Sequence, residues 1–132
     1  MRGLDTNVLV RYLAADDPHQ LAKVEELMEE GRRDREPFFL PVVVLCELVW
    51  VLARRYDQGK SQIIQTLEQI LDMDQFRLEY DAMVRRSLAS FRTGKGNFSD
   101  YLIAEISKQH GCRDLVTFDR ALKNSAGITV LA

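Results

Sequence analysis

Hydrophobic residues recur along the 132-residue chain with two periods, one helical and one extended. Residues 7–14 carry them at helical spacing. From Asp17-Pro18 an amphipathic stretch sets Leu21, Val24, Leu27 and Met28 on one face, with the proline in the first turn and Gly31 as its predicted end. Residues 42–55 are apolar nearly all round, the pattern of a helix buried on most of its surface. Ser61 is the predicted cap of a helix with Ile63, Ile64, Leu67, Ile70 and Leu71 inside. Asp81 is that of another, running through Met83, Val84 and Leu88 to a break at Gly94-Lys95-Gly96-Asn97, read as a flexible turn. Asn97 or Ser99 caps the next, with Leu102, Ile103 and Ile106 facing in. Between these lie short extended runs: the first residues up to Asp5, residues 36–41 bounded by prolines, residues 76–80, and residues 115–118 and 128–131 with a short helix after Asp119 between them.

Strands that alternate with helices predict parallel pairing, because a parallel connection needs a crossover long enough to hold a helix. The expected fold is α/β, one domain over residues 1–132 with a central, mainly parallel sheet. Chemistry in such sheets gathers outside the carboxyl ends of the strands.

Composition narrows the class further. Hydrophobic residues make up 46% of the chain, ample for a core and too many for a disordered segment. Lys and Arg number 18 against 20 Asp and Glu, a net charge of −2, so no global basic field exists to hold nucleic acid. Cys46 and Cys112 show no metal or disulfide spacing and are expected as core thiols. The longest apolar run, residues 40–53, is interrupted by Pro41 and Glu47 and falls short of the roughly 20 residues of a membrane span. The opening Met-Arg-Gly-Leu-Asp does not read as a signal peptide, so the expected location is the cytoplasm, with no membrane partner.

Four acids then stand out. Asp5 and Asp119 each follow a strand and are expected at the same sheet edge. Glu47 interrupts the most hydrophobic helix, where an unpaired buried carboxylate would cost several kcal/mol, and Asp100 stands in the first turn of a helix, where the dipole favours a negative charge. Gathered in one cleft they repel, since two charges ~4 Å apart interact by about 4 kcal/mol at an effective dielectric near 20. A hard divalent cation, Mg²⁺ or Mn²⁺, removes that conflict with oxygen ligands alone.

Leu4-Asp5-Thr6-Asn7-Val8-Leu9, Val43-Val44-Leu45-Cys46-Glu47-Leu48, Phe98-Ser99-Asp100-Tyr101-Leu102-Ile103-Ala104 and Val116-Thr117-Phe118-Asp119 together resemble the PIN-domain nucleases, most closely the VapC-like toxins of bacteria and archaea. The likeness runs through essentially the whole chain. It implies a three-layer sandwich and a metal-dependent endoribonuclease. The resemblance implies that water is activated on a metal held by Asp5, Asp100 and Asp119, with Glu47 adding metal binding, direct or through water, and base character. Thr6, Asn7 and Thr117 are expected to orient these acids by hydrogen bonds. The same resemblance implies an RNA substrate, a small cognate antitoxin whose C-terminal segment fills a groove near the acids, and a homodimer. Asn97 departs from the pattern, standing where many relatives carry a further acid, and no strongly basic tail is present, which leaves Arg11, Arg54, Arg85, Arg86, Arg92 and Lys95 for an RNA grip.

Other readings compete. Asp5, Asp100 and Asp119 each read singly as a cap. An acid after a first strand also opens aspartate-nucleophile phosphatases, although their second acid is Asn7 here. A PIN-type RNA-processing nuclease outside a toxin system and a noncatalytic interaction module complete the alternatives. Trp50, Phe38, Phe39, Phe76 and Phe118 are expected in the core rather than as base-stacking platforms. His19, His110 and the Arg32-Arg33-Asp34-Arg35 run are expected at the surface.

Overall fold

Prolines 37 and 41 bracket a strand of three residues, and everything else in the first half of the chain is arranged around it. In the computed structural model, which describes residues 1–132, the elements run β1 (Arg2–Gly3), α1 (Thr6–Ala14), α2 (Pro18–Asp34), β2 (Phe38–Leu40), α3 (Val42–Arg55), α4 (Lys60–Asp72), β3 (Phe76–Leu78), α5 (Asp81–Thr93), α6 (Phe98–Gln109), β4 (Leu115–Thr117), a 3-10 turn (Arg120–Leu122) and β5 (Ile128–Val130). The chain forms two compact units, Met1–Glu79 and Tyr80–Ala132.

In the first unit β2 is central, parallel to β1 and to β3, with Phe38 opposite Arg2 and Phe76. The crossovers α1–α2 and α3–α4 make that parallel order possible. Phe38, Leu40, Phe76 and Leu78 are buried against Leu9, Leu45, Leu48, Leu67 and Ile70 as the core of this unit. Pro41 offers no side-chain cap to α3, and the Glu79 carboxylate takes that place by accepting from the Val42 N–H at 3.0 Å. In the second unit β4 and β5 pair in parallel, Leu115 opposite Ile128. α5 packs along α6, where the Phe91 and Phe98 rings meet edge to face at 6.2 Å. The expected parallel sheet is thus present as two parallel ladders, one in each unit.

Several expectations change in detail. The strands are shorter than the apolar runs, so Asp5 stands at the N-cap position of α1 instead of closing β1. α2 runs through Gly31 to Asp34: a Cβ at Gly31 would lie 2.6 Å from the Phe38 ring, so this glycine answers close packing and not termination. Gly59 rather than Ser61 precedes α4, its N–H donating to Gln62 Oε1, and Tyr80 rather than Asp81 precedes α5, because Asp81 is already helical and bound to Arg85 Nε at 2.7 Å. Cys112 is exposed and Cys46 only partly covered, so neither is a core thiol; burial nevertheless pushes the Cys46 thiol up. His19, His110 and Arg32 to Arg35 are exposed as expected.

Arg11 ties α1 to its surroundings through Gln20 Oε1 at 2.6 Å and Asp16 Oδ1 at 3.2 Å, while the Tyr56 hydroxyl donates to Asp16 Oδ2 at 2.8 Å. The Tyr56 hydrogen bond, with the Arg11 charge behind it, lowers the Asp16 pKa. A carboxylate lowered on folding contributes stability above its unfolded pKa and loses it as pH falls through the folded value. Tyr56→Phe is therefore expected to weaken the protein at neutral pH and to flatten the acid limb of a plot of melting temperature against pH, with little difference from the parent once Asp16 is protonated.

Candidate active site

Asp5 sits at the N-cap of α1, yet its carboxylate accepts no capping hydrogen bond from the helix. The next residue, Thr6, is buried and turns its hydroxyl to Glu47 on α3, Oγ1 donating to Oε1 at 3.2 Å. That contact links residues 41 positions apart and draws Asp5, Thr6 and Glu47 to one place in the first unit. Asn7 follows on α1, exposed, with no hydrogen bond to either acid.

Glu47 is not the buried acid its neighbours suggest. It is exposed, on a stripe of α3 with Val43 and Trp50, whereas Val44, Leu45, Leu48 and Leu52 form the buried face. Trp50 and Phe118 are likewise exposed, at 57% and 75%, while Phe38 and Phe76 are buried and Phe39 half-buried. Hydrophobicity alone placed both of the exposed aromatics inside; Trp50 instead falls on the outer face of α3 with Val43 and Glu47, and Phe118 on the exposed segment after β4.

In the second unit Asp100 occupies the first turn of α6, and its Oδ2 accepts from the Asn97 N–H at 2.8 Å. Asp119 caps the 3-10 turn, Oδ1 accepting from the Ala121 N–H at 2.9 Å, and its own N–H donates to Thr117 Oγ1 at 3.1 Å. Gly96 bears on both elements. A Cβ there would meet Leu122 at 2.3 Å and Asp100 Oδ2 at 3.3 Å, and the Gly96 N–H donates to the buried Tyr101 hydroxyl at 3.0 Å. The segment read as a flexible turn is a tightly packed cradle for Asp100. Gly94, Gly96 and Tyr101 are thus supporting residues that sequence reasoning missed; the paired glycines five to seven residues before a tyrosine were the available signal.

None of Asp5, Glu47, Asp100 and Asp119 forms an ion pair with Lys or Arg, whose partners lie elsewhere: Arg11 with Asp16, Arg85 with Asp81, Arg86 with Glu105. All four are oxygen donors without a histidine or cysteine among them, the donor chemistry of Mg²⁺ or Mn²⁺, and they are held so that oxygens remain outside the hydrogen bonds described. The structure itself draws no three acidic, histidine or cysteine side chains into one metal-holding group. No helix is long and apolar enough to cross a membrane.

A parallel α/β chain with acids after β1 and β4, on α3 and at the start of α6 defines a class, and comparison with known families agrees: the PIN domain matches residues 4–128, so the chain belongs to the PIN domain family. Within that family it is similar to a VapC ribonuclease of Aquifex aeolicus (strain VF5), 29% identical over 130 residues that cover 98% of this chain and 96% of the relative.

Proposed function

We propose that the protein is a VapC-type toxin, an endoribonuclease that hydrolyses RNA phosphodiester bonds with Mg²⁺ or Mn²⁺, residues 1–132 acting as one PIN domain. The observation that carries this reading is the hydrogen bond from Thr6 to Glu47, which brings the acid of α3 to the start of α1, where Asp5 stands. The full-length likeness to a VapC ribonuclease supports the toxin class.

Asp5, Asp100 and Asp119 would hold the metal, joined by Glu47 directly or through water. When bound, a divalent cation lowers the pKa of water and stabilises charge on the phosphoryl oxygens. Thr6 fixes one oxygen of Glu47, leaving the other to take a proton from the attacking water. The water oxygen then bonds to phosphorus as an ester P–O bond breaks, the departing sugar oxygen takes a proton from solvent water, and Glu47 returns its proton to solvent. The Asn97 N–H fixes Asp100, and Thr117 fixes the backbone that carries Asp119. The partners in this reading are RNA, a second copy of the chain and a small antitoxin whose C-terminal segment covers the acids, all in the cytoplasm.

Incubating the chain with mixed RNAs tests it. Cleavage is expected with Mg²⁺ or Mn²⁺, falls to background with excess chelator and returns when either ion is restored. Cleavage that persists in chelator overturns the metal assignment, and intact RNA under every condition overturns the nuclease.

A further inference from the structure

A cavity of about 460 Å³ lies wholly within the second unit, lined by α5, α6 and the segments that lead into β4 and β5. One wall is a single face of α6: Tyr101, Ala104, Glu105 and Lys108 follow at the spacing that stacks side chains on a helix, and the small Ala104 leaves room between its larger neighbours. α5 adds the hydroxyls of Ser90 and Thr93. After α6 the chain folds back through Gly111 at φ +85°, and the N–H groups of His110, Gly111 and Cys112 donate to the carbonyls of Ile106, Lys108 and Ser107. That turn leaves the helix-end carbonyls occupied and brings Arg113 to the same cavity as Lys108.

The charges around this space are unequally matched. Glu105 holds Arg86 at 2.9 Å and Asp114 accepts from the Thr129 hydroxyl at 2.7 Å, so both acids in the lining have partners. Lys108 and Arg113 have no ion pair. We propose that the cavity binds a small sugar phosphate monoester, its phosphate held by Lys108 and Arg113 and its hydroxylated body lying along Ala104 toward Ser90 and Thr93. Two cations match the double charge of a phosphate monoester, the guanidinium offering a two-pronged contact, and the volume falls within the roughly 300–1,000 Å³ of small-molecule sites. The site is separate from the acids: Asp100 is in the first turn of α6 and Asp119 follows β4, whereas Lys108 is in the last turn of α6 and Arg113 precedes β4. It stands whether or not the chain cleaves RNA.

Calorimetric titration of the full chain with adenosine 5′-monophosphate and with ribose 5-phosphate tests the proposal, in excess chelator so that no metal draws phosphate to the acids. One saturable site is expected, with adenosine and inorganic phosphate each at least about tenfold weaker, since each lacks one part of the ligand. Lys108→Gln combined with Arg113→Gln, both at exposed positions, weakens the esters at least about tenfold without moving the melting temperature of the unliganded protein. Removing two charges in the other unit, by Lys23→Gln with Arg33→Gln, leaves binding unchanged. Ala104→Leu fills the space and lowers affinity with both cations in place. Bound ester also slows alkylation of Cys112, which lines the cavity, and not of Cys46 on α3. Tighter binding of the adenosine ester identifies a nucleotide as the ligand, and equal binding a free sugar phosphate. Absence of saturable binding by either ester, undiminished binding by the Lys108→Gln/Arg113→Gln protein, or adenosine or inorganic phosphate binding as tightly as the esters overturns the proposal.

Discussion

Asp100→Asn and Asp5→Asn are each expected to reduce RNA cleavage by at least about a thousandfold while leaving the melting temperature of the metal-free protein unchanged or slightly raised. On the proposed reading the loss follows from charge: a metal ligand contributes several kcal/mol to the transition state, and each ~1.4 kcal/mol is tenfold in rate. The fold survives because asparagine keeps the local roles. At position 100 its carbonyl oxygen still accepts from the Asn97 N–H, and at position 5 asparagine is as good an N-cap residue as aspartate. Expressed in cells, the parent should arrest growth and both variants should not. Single-turnover cleavage and thermal melts on the same preparations check the prediction; full activity in either variant, or its failure to fold, counts against the assigned role.

Gly94→Ala is expected to be the most damaging substitution away from the acids. Its Cβ would lie 1.9 Å from the Tyr101 hydroxyl, 2.7 Å from Cζ of the same ring and 2.9 Å from the Ser90 carbonyl oxygen, at a place where both Tyr101 and the neighbouring Gly96 are buried. Forcing a methyl group into packed surroundings costs about 1–3 kcal/mol, and Tyr101 cannot yield without dropping the Gly96 N–H, a further ~1–3 kcal/mol for an unsatisfied buried donor. At roughly 4 °C per kcal/mol for a chain of this size, the melting temperature should fall by about 10 °C or more. Tyr101→Phe alone loses the hydrogen bond, but in the Gly94→Ala background it removes the closest clash, so the double variant should be more stable than the two single losses added together. Melting curves for the four proteins measure that coupling, and strict additivity would contradict the contact. Cleavage should fall with each single variant, since Gly96 borders Asp100 Oδ2.

Much of this architecture was legible because periodicity reports which positions meet a core. The 42–55 pattern coincides with α3, and Phe76, Arg77 and Leu78 alternate in sequence as they alternate in burial along β3. Asp5, Asp100 and Asp119 drew attention through their placement after strands and at a helix start and Glu47 by interrupting an apolar helix, and the Thr6 hydroxyl does bond one of the four, Glu47 on another element. Illegible were the residues whose place is decided by what they touch. Gly31 looks like a stop until the Phe38 ring is seen against it, Gly94 and Gly96 look loose until Tyr101 is placed, and Trp50 looks like core until α3 is seen to bury only the face of Val44, Leu45, Leu48 and Leu52.

The first helix begins on a side chain that does not serve it. Asp17 binds the Gln20 N–H at the start of α2 and Asp119 binds the Ala121 N–H, but Asp5 makes no such bond, forgoing roughly 1 kcal/mol that a capping contact supplies. On the proposed nuclease reading, heat resistance and turnover therefore pull this position in opposite directions. A library screened only for thermal tolerance would enrich serine or threonine at residue 5, and the hardiest survivors would be the inert ones.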